Sequence, residues 1–147
     1  MRDRWSLFLD TSVWIAAILS DRGASFALLQ EGRASSVAIV SSPDVFDEAV
    51  RNFVKKYPER VRDFWDAFDR VHPLLVTPST DAIRSAARII HPDDALILAG
   101  ALAAEADALV TLDKKHFLQL EVLTRVPIEI VTPAEALQQL RQSRMKQ

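Results

Sequence analysis

Short apolar runs alternate with longer helical periods along this chain, which predicts an α/β fold with parallel strands and helices on both faces. Three observations carry that reading. The short runs are rich in β-branched or aromatic residues and nearly continuously apolar, as strands covered on both sides should be. Helix-start signals such as Ser42-Pro43 and Thr132-Pro133 follow them, each a capping hydroxyl before proline at the first helical position. Carboxylates stand where strands hand over to helices, the edge of an open α/β sheet at which ligands bind.

The elements follow in order. A strand over residues 6–10 leads into helices over 12–19 and 24–31. A second strand over 36–40 precedes a helix over 43–56, and Pro58 separates that helix from the next, over 59–70. Pro73 precedes a third strand, residues 74–77. Ser79 or Thr80 can cap a helix over 80–89. A helix over 93–106 is apolar almost all round and is expected to lie buried at the centre. Strands over 108–112 and 128–131 and a helix over 133–144 complete the pattern. The polar, basic tail within 138–147 is expected to fray.

Composition bounds the rest. The chain has 147 residues, 49% of them hydrophobic, and no second composition regime, so one domain spanning 1–147 is expected. Net charge is −2, so any nucleic-acid contact must be made by local patches. Cysteine is absent, which excludes disulfides and thiolate chemistry and fits a reducing cytoplasm. Asp10 interrupts the first apolar stretch and no cleavage pattern follows it, so a signal peptide is not supported. No segment reaches the ~20 apolar residues of a membrane span. A soluble protein without a membrane partner is expected. Only three glycines occur, in neither a dinucleotide fingerprint nor a phosphate-cradling loop.

Four acids define the candidate site. Asp10 ends the first strand, Asp113 ends the fourth, Glu48 lies early in the helix after the second strand, and Asp94 opens the apolar helix. Each alone reads as a helix cap or a solvated side chain. Together they fall on one sheet edge, where they would repel one another unless divalent cations lay between them. That predicts a magnesium- or manganese-dependent hydrolase of a phosphate ester. Asp47 is the alternative second acid, but it suits an i,i+4 ion pair with Arg51, while Glu48 shares its face with Val45 and Asn52. Asn52 would border the site. Asp93 reads as a helix cap or outer-shell partner beside Asp94, and the Thr111 hydroxyl as support for a carboxylate.

These residues resemble PIN-domain nucleases. The resemblance rests on Leu9-Asp10-Thr11-Ser12-Val13-Trp14, Glu48 after Ser41-Ser42-Pro43, His91-Pro92-Asp93-Asp94-Ala95-Leu96-Ile97-Leu98, Leu109-Val110-Thr111-Leu112-Asp113, and the ending from Ile128 to Leu137. The bacterial toxin branch of toxin–antitoxin pairs is the most similar. The resemblance implies a three-layer α/β/α sandwich around a parallel sheet of four to five strands. It implies an endoribonuclease dependent on one or two Mg2+ or Mn2+ ions, with Asp10, Glu48, Asp94 and Asp113 as metal-holding, catalytic acids and Ser12 and Thr111 as supporting hydroxyls. In-line attack on an RNA phosphodiester by metal-activated water follows, with two ions ~3.5–4 Å apart if both are present.

Contacts to the RNA backbone are expected from Arg51, Lys55, Lys114 and Lys115. His116 reads as a plain surface residue or a phosphate contact. Trp14, Ile18, Phe26, Leu28 and Leu29 crowd the first two helices, which suits core packing, a bound antitoxin helix or a homodimer. An aspartyl-phosphate phosphatase would need an acid where Ser12 stands. The remaining rival is a catalytically silent PIN-like module that binds RNA or protein.

Overall fold

The computed structural model of the chain describes residues 4–113, 115–117, 119 and 124–145. Its elements run β1 (Ser6–Leu9), α1 (Thr11–Leu19), α2 (Ala24–Arg33), β2 (Ala38–Ser41), α3 (Pro43–Lys56), a 3-10 turn (Pro58–Arg60), α4 (Val61–Val71), β3 (Leu74–Leu75), α5 (Thr80–Ala86), α6 (Pro92–Ala103), β4 (Ala108–Val110), β5 (Glu129–Val131) and α7 (Pro133–Met145). The five strands form one parallel sheet in the order β3-β2-β1-β4-β5. Every expected strand is present, and the sheet is the centre of an α/β/α sandwich.

Two glycines show how the layers stack. Leu7 is in register with Ile39, so both side chains leave the sheet on one face and Phe8 leaves on the other. A Cβ on Gly32 of α2 would lie 2.5 Å from Ile39 Cγ1, and one on Gly100 of α6 would lie 2.9 Å from Phe8 Cζ. Helices α2 and α6 therefore cover opposite faces, each brought close by a residue without a side chain. Asp10 alternates to the Phe8 face, the side on which α6 lies.

All of β1 is buried, as near-continuous apolar runs require. An aromatic cluster joins α1, α3 and α4: Trp14 meets Phe64 edge-on at 6.0 Å, and Phe53 stacks on Phe64 at 5.6 Å. Each fully buried ring contributes on the order of 1.5–3 kcal/mol. The cluster also fixes the first turn of α1 relative to α3, and so Asp10 relative to Glu48.

The caps form as the local sequence directs. Ser42 accepts from the Val45 N–H and Ser79 from the Ala82 N–H, while Thr132 and Glu135 cap each other's backbone reciprocally. Boundaries differ where the periodicity misleads. The central helix stops at Ala103, followed by Glu105 with a left-handed φ of 51°, instead of running to 106. Pro73 and Pro78 flank β3 and limit it to two residues, of which Leu74 is 64% exposed.

Two expectations need correction. The tail does not fray from 138, because α7 continues through Met145, Leu140 is buried and Arg144 pairs with Glu31. The Asp47–Arg51 ion pair is not formed among the described residues. Both side chains are exposed, where such a pair gains little over water. Among the described residues, no single helix is long and apolar enough to cross a membrane.

Candidate metal centre

Parallel strands β1 and β4 are neighbours, so their carboxyl ends bring Asp10 and Thr111 side by side. The Thr111 hydroxyl donates to Asp10 Oδ2 at 2.7 Å and accepts the Asp113 N–H at 3.0 Å. The Ser12 hydroxyl donates to the same Asp10 oxygen at 3.0 Å and accepts the Leu112 N–H at 3.2 Å. Asp10 Oδ1 accepts the Thr11 N–H at 2.8 Å, so the residue is also the N-cap of α1. Cap and site coexist in one carboxylate.

Thr11 donates its hydroxyl to Glu48 Oε2 at 3.1 Å, across from the first residue of α1 to α3. Asn52, one turn on, donates to the Glu48 carbonyl at 2.9 Å. Asp113 Oδ1 accepts from the Lys115 and His116 N–H groups, both at 3.1 Å, which folds the following turn back on the acid.

Asp10, Ser12, Glu48, Asn52, Asp94 and Asp113 line one cleft of about 290 Å³, together with Thr11, Ile15 and Leu112. Thr111 is wholly buried beneath it. Asp47 and Asp93 are exposed and face a neighbouring groove that Arg51 and Glu48 share. Asp93 is not the cap of α6. Pro92 occupies the first helical position, so His91 precedes it and accepts the Asp93 N–H on its ring Nδ1 at 3.1 Å. Lys55 and Lys115 are exposed and line neither depression; Lys114 lies outside the described residues.

The electrostatics are those of crowded acids. Burial pushes the Asp10 carboxyl above its ordinary value, against the hydrogen bonds from Thr111 and Ser12, and Glu48 adds repulsion. Burial also raises Asp94, opposed by His116 and reinforced by Asp113 and Asp10. Asp94 Oδ2 is shut off from solvent with no hydrogen-bond donor. His116 Nδ1 comes within 2.7 Å of it, but not in hydrogen-bonding alignment. An orphaned carboxylate oxygen among other carboxylates fits a divalent cation, and the oxygen-rich donor set suits magnesium or manganese.

His116, expected from the sequence as a plain surface residue or a phosphate contact, instead stands beside Asp94 and Asp113. Its only signal was its position three residues after Asp113, in a turn that the acid itself caps.

The chain matches the PIN domain family over residues 6–115. Among solved structures it is similar to VapBC2 from Rickettsia felis bound to a DNA fragment from their promoter, at 20% identity, covering 86% of this chain and 98% of that one with a TM-score of 0.63. It is similar to PAE2754 from Pyrobaculum aerophilum at 16% identity, covering 94% and 90% with a TM-score of 0.65. VapBC-1 from nontypeable Haemophilus influenzae matches at 18% identity, covering 88% and 98% with a TM-score of 0.56. At these identities the likeness is one of fold. No curated protein matches the sequence.

Proposed function

The chain belongs to the PIN domain family, and on that premise we propose that it is a metal-dependent endoribonuclease, the toxin of a toxin–antitoxin pair. The observation that carries the reading is that Asp10, Glu48, Asp94 and Asp113 line one cleft, with Asp94 Oδ2 buried and without a hydrogen bond. Those four acids would hold one or two Mg2+ or Mn2+ ions. A bound ion supplies positive charge that acidifies an attacking water and offsets charge on the phosphate.

The chain's own residues do the positioning. Thr111 and Ser12 hold Asp10, Thr11 holds Glu48, and the backbone of the following turn holds Asp113. These three acids are therefore oriented before anything binds. Ser12 and Thr111 act as supports, Asn52 borders the cleft, and Asp93 flanks it from outside. Arg51, Lys55, Lys114 and Lys115 are the proposed phosphate contacts on either side, which would make RNA binding weaken with salt. An RNA substrate and the absence of cysteine support a cytoplasmic location as part of this proposal.

The proposed antitoxin has a candidate seat. Ile18, Phe26, Leu29, Ala67 and Val71 line an apolar groove of about 310 Å³ between α1, α2 and α4, rimmed by Arg33, Arg60 and Arg70. Trp14 and Leu28, by contrast, are spent on the core. Two solved structures of similar fold carry the name VapBC, which supports a protein partner for this chain. A homodimer is the competing occupant. Sedimentation of the lone chain as a dimer at micromolar concentration would favour it.

The nuclease reading is tested by cleavage of a mixed RNA panel with Mn2+, Mg2+ or EDTA, beside a folded Asp94→Asn variant. Metal-dependent cleavage that the variant lacks supports it. Equal cleavage by both proteins refutes the site, and no cleavage with retained RNA or protein binding favours the silent binding module.

A further inference from the structure

His116 faces the two acids on the α6 side of the cleft. Its Nδ1 lies 2.7 Å from Asp94 Oδ2 and 3.3 Å from Asp113 Oδ2. One donor atom from each of the three residues falls within 4.8 Å of the others. Donors ~2.1 Å from a common octahedral ion stand about 3 Å apart along a cis edge, so both separations suit shared coordination. Neither a hydrogen bond nor solvent satisfies Asp94 Oδ2. The close approach of ring nitrogen and carboxylate oxygen thus converges on a point without completing a bond between them.

The ring is also held in place. Its backbone N–H is bound to Asp113 Oδ1, so the turn carries the imidazole back over the acid three residues earlier. Its face stacks on His91 with centroids 5.7 Å apart and planes 12° from parallel. His91 is in turn fixed as the cap of α6, two residues before Asp93 and three before Asp94. A side chain oriented by a capped turn on one side and a capped helix on the other is pre-aimed, which a metal ligand requires.

We propose that His116 Nδ1 is a ligand of the cation held between Asp94 and Asp113, giving the centre one nitrogen donor beside its oxygens. The inference rests on the metal-centre reading above and deepens it. Its chemical consequence is metal preference. Imidazole binds first-row transition ions well, whereas magnesium prefers oxygen alone, so the centre takes Mn2+ ahead of Mg2+.

Electron-spin-echo spectroscopy of the full chain loaded with Mn2+ tests this without reference to activity. A directly bonded nitrogen gives a 14N coupling, and the chain has only three histidines, so assignment is simple. The expected result is a 14N coupling in the wild type that His116→Gln abolishes, with Mn2+ affinity lowered on the order of ten-fold or more and Mg2+ affinity changed less. Bound Mn2+ without 14N coupling in the wild type overturns the histidine ligand and leaves the carboxylate centre standing. A coupling that survives in a folded His116→Gln or His116→Ala also overturns it. Failure to bind Mn2+ at all overturns the carboxylate centre, and the histidine ligand with it. A wild-type spectrum without the coupling decides against the ligand even if both variants fold poorly.

Discussion

The Thr111 hydroxyl joins two acids from different crossovers, donating to Asp10 Oδ2 at 2.7 Å and accepting the Asp113 N–H at 3.0 Å. Thr111→Val keeps the shape and removes both bonds. It leaves a buried carboxylate short of a donor, a cost of about 1–3 kcal/mol. Chemical denaturation is expected to show that loss, and RNA cleavage to fall with it. Thr111→Ser, which keeps the hydroxyl, restores most of both.

Glu48 and Asp47 are adjacent, but only Glu48 reaches the cleft that holds Asp10. Glu48→Gln is expected to reduce RNA cleavage by about 100-fold or more, since even outer-shell changes cost 10–100-fold at metal centres. Asp47→Asn should cleave within a factor of about two of wild type, as an exposed change away from the chemistry. Comparable losses in the two variants would refute the choice of second acid.

Asp94 makes a signed prediction about pH. A carboxyl held above its ordinary value of 3.8 takes up protons on folding, so the metal-free protein loses stability as pH rises from that value through the folded one. In EDTA at pH 7, Asp94→Asn should therefore melt a few degrees above wild type, with a flatter dependence of Tm on pH. With Mn2+ the order reverses, because the variant has lost a ligand and the stabilisation that binding brings. Thermal melts at pH 5 and 7, with EDTA and with Mn2+, check each sign.

Gly32 sits where α2 presses on β2, with Ile39 Cγ1 2.5 Å from an added Cβ. Gly32→Ala is expected to destabilise by about 1–3 kcal/mol through overpacking, despite the better helix propensity of alanine. Gly23, with nothing within 4 Å of its added Cβ, should tolerate the same change far better.

The last helix separates packing from charge. Leu140 is buried at 7% exposure, so Leu140→Ala should cost about 2–4 kcal/mol. Arg144→Ala removes only an exposed pair with Glu31 and should leave Tm within error of wild type. Urea unfolding of both variants distinguishes a docked helix from a loosely attached tail.

The strands were legible because sheets buried on both faces demand runs that few other structures use, and Phe8 and Val40 sit in such runs. Caps were legible because Ser42 and Thr132 act on neighbours a few residues away. Asp10 and Asp113 followed from strand ends alone. His116 did not, since its role depends on a turn folding back towards α6, a relation between distant segments with no local pattern. The helical tail was misjudged for a similar reason: its composition is polar, but Leu140 and Arg144 meet partners supplied by the rest of the chain. Asp93 was misread because a histidine cap is uncommon and proline at 92 pushed the cap back by one residue.

The four acids are not held alike. Asp10 and Glu48 accept hydroxyl bonds and Asp113 accepts two backbone bonds, whereas Asp94 Oδ2 accepts no hydrogen bond among the described residues and has only the His116 ring beside it. Three of them form a fixed jaw and the fourth a compliant one. Ions of different radius, and phosphates arriving at different angles, would then be accommodated by rotation of Asp94 about its side-chain torsions, while the β1–β4 edge keeps its shape. The tolerance of the centre is concentrated at a single side chain on the first turn of α6.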